Sequence, residues 1–193
     1  EDGIRDDLVT GVQTCALPIS RPSVDGLNAT AFPSGVMTMP VEATEHAGPV
    51  IIWRKELRPD SGGVGEFRGG LGQYMEVGAQ EGHEFDFSAM FDRVDHPALG
   101  RVGGGPGAPT TISRSDGSEM RGKGRQFVPH GQKVMLAFPG GAGYGEASAR
   151  NRAHVTRDLV RGYISAQSAK DDYGLTDEEI ADALEKARLG AEA

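Results

Sequence analysis

Arg54, Lys55, Arg58, Asp60 and Arg68 fall within one stretch, WRKELRPDSGGVGEFRGGLGQ (53–73), that also carries six glycines. A guanidinium grips a carboxylate or phosphate through two parallel hydrogen bonds, and a neighbouring aspartate can orient it or accept from a substrate amide. The same charges could instead form an ion-pair network that pins a long loop to its own domain or to a partner subunit. Residue types alone leave both readings open. A glycine cluster is tolerated where the backbone takes unusual angles or comes close to something else, so this segment is read as a loop with a close neighbour.

A second constellation follows at Asp92-Arg93-Val94-Asp95-His96-Pro97. Asp92, Asp95 and His96 are potential divalent-metal ligands within five residues, and Arg93 adds a cation beside them. Strand alternation would put Asp92 and His96 on one face and Asp95 on the other unless the chain turns first. A histidine before proline at a strand end is also a common hydrogen-bonding residue. Glu42 and Glu45, three apart, are read as surface carboxylates. Histidines 46, 83, 130 and 154 each stand alone. No G-x-S-x-G elbow offers a nucleophile.

The glycine loops invite a nucleotide reading, and their spacing rejects it. No stretch fits G-x-G-x-x-G. The nearest approach to a P-loop, GSEMRGKG (117–124), has glycine where Ser or Thr should hold magnesium. No helix follows to aim its N-terminus at a phosphate. A charged turn between strands is expected there.

The elements that must position these residues are mostly short strands. VIIW (50–53), YMEV (74–77), QFV (126–128) and VMLAF (134–138) are β-branched or apolar runs. Phe85, Phe87, Ala89 and Phe91 alternate with mostly polar residues, the period of a strand with one buried face. GGGPG (103–107) and PGGAGYG (139–145) mark two further glycine-rich loops. From Asn151 the character becomes helical. Val155, Leu159 and Val160 share a face that Tyr163 and Ile164 continue. A second helix is predicted over 166–173 with Gly174 as its stop. Thr176-Asp177-Glu178-Glu179 matches a capping box that opens a third, to about Arg188. The predicted class is α+β: a β-rich mixed or antiparallel core with glycine-rich loops over 20–150, and a helical tail over 151–193.

Composition narrows the function classes. The 193 residues are 37% hydrophobic with only one cysteine and a formal charge of -8. That balance argues against non-specific nucleic-acid binding, which needs basic surface. No apolar run approaches the roughly 20 residues of a membrane helix. The acidic N-terminus lacks the apolar core of a secretory leader, and a lone cysteine fits a reducing, cytoplasmic setting. Residues 9–19, VTGVQTCALPI, resemble a translated sequencing adapter. Residues 1–19 are therefore expected to be artefactual or without structure, and Cys15 carries no functional argument.

From about Ser20 to Gly174 the chain resembles the C-terminal part of a B-type subunit of the hydantoinase B/5-oxoprolinase family. The blocks that carry this are AFPSGVMTMPVEATE (31–45), the loop at 53–73, FDFSAMFDRVDHPALGRVGGGPGAP (85–109), GKGRQFVPHGQKVMLAFPGGAGYG (122–145) and the tail at 157–175. The resemblance implies part of an ATP-dependent cyclic-amide hydrolase that opens a lactam or hydantoin ring, of the 5-oxoprolinase or N-methylhydantoinase type. It implies that ATP is bound by an A-type partner subunit or domain, in an oligomeric complex that could also hold a divalent metal. It further implies that this portion alone is inactive. Arg58, Asp60, Arg68 and Arg93 are the candidates for stabilising a transferring phosphoryl group, and Asp92, Asp95 and His96 are the metal candidates. Two alternatives stand beside this: a scaffold or subunit-interface region without catalytic residues, and part of a related ketone carboxylase.

Overall fold

The apolar run after Pro49 opens β1 (Val50–Leu57), which continues past Trp53 into the basic start of the first glycine loop. A computed structural model of the chain describes residues 23–30 and 40–191. The adapter-like stretch, Cys15 and residues 31–39 lie outside these. Before β1 comes the short helix α1 (Val41–Ala47); after it come β2 (Gln73–Ala79), β3 (Phe85–Met90), β4 (Thr111–Arg114), β5 (Lys123–Val128) and β6 (Lys133–Ala137). A 3-10 turn (Ala147–Ala149) leads to the helices α2 (Arg152–Val160), α3 (Ala166–Asp171) and α4 (Asp177–Ala191). The fold is α+β.

All pairings between the strands are antiparallel. β1, β2, β6 and β4 form one sheet in that order, and β3 and β5 form a separate two-stranded ribbon. A bulge at Trp53 shifts the β1–β2 register between Ile52 and Arg54. The alternation read in β3 holds: Phe87 and Ala89 are buried while Asp86, Ser88 and Met90 face out. Phe87, Phe91, Val128, Ile112, Met75, Val77, Val134, Leu136 and Phe138 share one apolar core between ribbon and sheet. Phe91 sits 5.9 Å, centroid to centroid, from both Phe87 and Phe138.

The helices bury a second cluster, including Val155, Leu159, Ile164, Ala169, Tyr173, Leu175, Ile180 and Ala183, against which Val64 of the first glycine loop packs. Local signals placed these helices well. Thr176 and Glu179 exchange hydrogen bonds as a capping box should, the Thr176 N–H donating to Glu179 Oε2 at 2.8 Å and the Glu179 N–H to Thr176 Oγ1 at 3.2 Å. Asn151 caps α2 by accepting from the Ala153 N–H at 2.8 Å. One expectation fails here. Tyr163 and Ile164 do not continue α2, because Gly162 takes φ +67° and ends it, leaving Val160 exposed on the outer side. Helix α1 and strand β4 had no signal strong enough to predict them: α1 buries no residue, and β4 is only four residues long.

Candidate functional site

The three glycine-rich loops come together as one body, backbone against backbone. The Gly63 N–H donates to Gly141 O at 2.8 Å, Gly141 N–H to Gly70 O at 2.9 Å, Gly105 N–H to Val64 O at 2.6 Å and Gly143 N–H to Gly105 O at 3.0 Å. Phe67 and Tyr144 exchange both of their backbone hydrogen bonds at 3.0 Å. Such contact leaves no room for side chains. A Cβ on Gly140 would lie 1.7 Å from Ser61 O, and one on Gly63 would lie 2.3 Å from Gly105 O. The amides of Gly63, Gly105, Gly141 and Gly143 are thus engaged by the loops themselves and are not free to cradle a phosphate.

Beside this glycine body lies a network of charges, buried at Arg68, Arg150 and Asp158 and more open at Asp25 and Arg157. Arg150 grips Asp25 with both terminal nitrogens, at 2.7 and 2.9 Å, and reaches Asp158 Oδ2 at 2.6 Å and Glu66 O at 2.8 Å. Arg68 Nε donates to the same Asp158 oxygen at 3.2 Å, and the Arg68 backbone N–H donates to Asp25 Oδ1 at 2.8 Å. Arg157 closes the ring with 3.2 Å to Asp25 and 3.3 Å to Asp158. Arg68 lies 5.4 Å from the Tyr163 ring and Arg150 lies 5.8 Å from the Tyr173 ring, so both cations also rest on aromatic faces. The network joins three parts of the chain: the segment at Asp25, the first glycine loop, and α2 with its approach.

Electrostatics follow from this geometry. Burial pushes the Asp25 carboxyl upward, but hydrogen bonds and charge from Arg150 and Arg68 outweigh it and hold the group below the usual carboxylate range. Burial pushes the Tyr173 phenol up to about 12, with the Arg150 charge only partly opposing it. The Arg150 guanidinium is held even more firmly protonated than usual: burial works against its charge, and Asp25 and Asp158 overcome that. Among the described residues the buried Arg150 Nε has no hydrogen-bond partner.

The residues singled out in the sequence are dispersed by this arrangement. Arg68 is 3% exposed and belongs wholly to the buried network. Arg58 turns onto backbone carbonyls, donating to Pro109 O at 2.7 Å and Phe138 O at 3.1 Å, and so clamps the end of β6 to the segment before β4. Asp60, at φ +57°, accepts from the Ser165 N–H at 2.8 Å and fastens the loop to the start of α3. Arg54 pairs with Glu56 and lies 4.6 Å from the Tyr74 ring. Arg93 has φ +62° and its carbonyl accepts from the Thr110 N–H at 2.9 Å, while its half-buried guanidinium has no hydrogen bond or ion pair among the described residues.

Nor do the metal candidates converge. The chain leaves its strand at Met90 and bends, so the alternation stops before Asp92. Asp92 pairs with Lys123 at 2.6 Å, and Asp95 and His96 are exposed. Among the described residues no three His, Cys, Asp or Glu side chains gather in a way that could hold a metal ion. No helix among them is long and apolar enough to cross a membrane.

Asp25, Arg150, Arg157 and Asp158 were missed in the sequence. One signal existed for Asp158: it stands three residues after Val155 and next to Leu159, so helical spacing sets an acid on the buried face. An acid on an apolar helix face needs a cation, and Arg68 and Arg150 supply it.

Comparison with known proteins agrees with this architecture. A family model described as hydantoinase B/oxoprolinase matches residues 12–147, a match that begins inside the adapter-like stretch. The beta subunit of caprolactamase from Pseudomonas jessenii is 32% identical over 156 residues, covering 72% of this chain and 25% of that protein. The delta subunit of acetophenone carboxylase from Aromatoleum aromaticum is 27% identical over 191 residues, covering 80% of this chain and 28% of that protein. The crystal structure of the ATP-dependent caprolactamase from Pseudomonas jessenii superposes with a TM-score of 0.71 at 24% identity, over 90% of this chain and 32% of that one. At that identity the likeness is one of fold. The chain spans about a quarter of the length of the curated relatives it matches, at 25% and 28%.

Proposed function

The chain belongs to the hydantoinase B/oxoprolinase family, and we propose on that premise that it is the rigid C-terminal portion of a B-type subunit in an ATP-dependent complex that opens cyclic amides. The observation that carries this reading is the inward turn of Arg58, Asp60 and Arg68. Each is committed to the fold: to carbonyls, to the start of α3, and to Asp158. The role of the 53–73 loop is therefore to hold the subunit's shape, and the reactive groups come from elsewhere in the complex. Arg93 is the exception, a half-buried cation with no partner among the described residues, and we assign it to an anionic group of the substrate or of the partner's nucleotide.

ATP, held by an A-type partner subunit or domain, would supply the phosphoryl group that activates the ring carbonyl toward water. The amides of Gly63, Gly105, Gly141 and Gly143 are taken up by the neighbouring loops, which supports leaving that task to the partner. A divalent metal in the complex would draw its ligands from outside Asp92, Asp95 and His96. We assign the complex to the cytoplasm, where ATP is at hand.

A lactam substrate is favoured by the 32% identity to a caprolactamase subunit. Similarity to a carboxylase subunit supports the second reading, ATP-dependent carboxylation of a ketone. The B-type polypeptide carrying this sequence, co-purified with its A-type partner, separates them. ATP-dependent release of an amino acid from caprolactam or 5-oxoproline, or of an N-carbamoyl amino acid from a hydantoin, supports the first reading. Ketone consumption that requires bicarbonate supports the second, and neither activity with an intact complex would remove both.

A further inference from the structure

Arg101, Val102, Gly103 and Gly104 form a tight turn closed by the Gly104 N–H to Arg101 O hydrogen bond at 3.0 Å. Both central residues have positive φ, Val102 at +54° and Gly103 at +88°. That is the pattern of a mirror-image hairpin turn, which favours Asn, Asp or Gly at its first central position. Glycine suits the second position. Valine does not suit the first, because a β-branched side chain there crowds its own backbone at a cost of about 1–3 kcal/mol. Yet the Val102 side chain gains little from its own fold: the residue is 68% exposed, and nearby Leu99 is 78% exposed.

The turn is not loose. Its flanks are fixed to the glycine body by the Arg101 N–H to Gly143 O at 3.2 Å, the Gly145 N–H to Arg101 O at 3.1 Å and the Gly105 N–H to Val64 O at 2.6 Å. Two apolar side chains are thus held out on a turn whose flanks are hydrogen-bonded to the glycine body. Preorganisation of this kind lowers the ordering cost of association. A strained, exposed valine on a rigid support makes physical sense when another surface covers it.

We infer that the Leu99–Val102 tip docks into an apolar depression on the remainder of the same B-type polypeptide. This rests on the reading of the chain as a portion of a longer subunit. The occupant is chosen on length. The curated relatives are about four times as long as the segment they share with this chain, and the shared fold makes up 32% of the caprolactamase chain. The greater part of such a subunit is therefore available to cover the tip.

The test compares Val102→Gly and Val102→Asp in the 193-residue chain and in the full-length B-type polypeptide carrying it, by thermal melting and limited proteolysis. In the 193-residue chain Val102→Gly relieves the backbone and raises the melting temperature, by about 2–4 °C for each kcal/mol recovered. In the full-length polypeptide the same change lowers the melting temperature and opens residues 99–105 to protease, and Val102→Asp does so more strongly. A gain from Val102→Gly in both settings, with Val102→Asp harmless in the longer one, overturns the inference. So does a full-length Val102→Asp protein that melts normally but no longer captures its A-type partner, which would place the tip at the subunit interface. Loss of self-association in the 193-residue chain alone, seen by sedimentation, would point to a second copy and likewise overturn it. None of these readouts depends on turnover, so failure of the ring-opening function would be seen separately.

Discussion

Arg150 and Asp158 meet at 2.6 Å with side chains 0% and 1% exposed, eight residues apart in sequence and on either side of the cap that starts α2. The pair does more than join neighbours, because each partner also reaches a distant segment. Arg150 holds Asp25, and Asp158 holds Arg68 of the first glycine loop. The helical tail is therefore fastened to the glycine body by charge as well as by the apolar cluster that Val64 enters.

Removing Asp158 tests that fastening. Asp158→Ala leaves Arg68 and Arg150 buried with only Asp25 nearby, and losing one partner of a buried pair costs about 3–5 kcal/mol. Urea unfolding should show the unfolding free energy falling by that amount, and the midpoint by that amount divided by the urea slope. An unchanged midpoint would mean the charges add nothing to the docking of the tail.

Acid should loosen the same contact from the other side. The folded Asp25 carboxyl titrates below the ordinary aspartate range, so the unfolded chain binds its proton first as pH falls. The stabilisation is fully present above about pH 4 and is lost as pH drops through the lower folded value. Unfolding free energy measured from pH 6 to pH 2 should decline along this limb. Asp25→Asn should lower stability at pH 6 and flatten the decline; an identical slope in the variant would remove Asp25 from the account.

Interlocking of the glycine loops makes a sharper forecast. At Gly140 a methyl group would sit 1.7 Å from the Ser61 carbonyl oxygen, a backbone atom that no rotamer change can move. Gly140→Ala should cost about 3 kcal/mol or more, beyond ordinary overpacking. At Gly48 the backbone is extended, at φ −161°, and nothing lies within 4 Å of the added carbon. Gly48→Ala should stay within about 0.5 kcal/mol of the parent. Equal effects at the two sites would contradict the close approach of the loops.

What could be read in advance was whatever has a short-range cause. The capping box at Thr176, the alternation of β3 and the stop at Gly174 each depend on residues within a few positions, and each is present in the structure. The glycine loops were visible as loops but not as one body, since backbone-to-backbone contact leaves no side-chain pattern to find. Arg68 was visible as a cation, while its counter-charge Asp158 lies 90 positions away. Asp92, Asp95 and His96 looked like a ligand set by residue type and closeness alone, on the condition that the chain turned after β3, since strand alternation would have split them. The chain bends after Met90, and the spacing loses its meaning there.

Arg93 separates a binding role from a structural one most cleanly. Its backbone is engaged at Thr110, but its guanidinium has no partner among the described residues, so truncation removes little that the fold uses. Arg93→Ala should change unfolding free energy by no more than about 0.5 kcal/mol, the usual range for a side chain away from buried partners. In the assembled complex it should cut ATP-dependent turnover at least tenfold, with Arg93→Lys restoring part of the loss through charge without the planar fork. Arg68→Ala should behave oppositely, losing stability first and activity only as a consequence. Kinetics on complexes shown to be assembled at the assay temperature distinguish the two. Full turnover by Arg93→Ala would leave this chain with a scaffolding role alone.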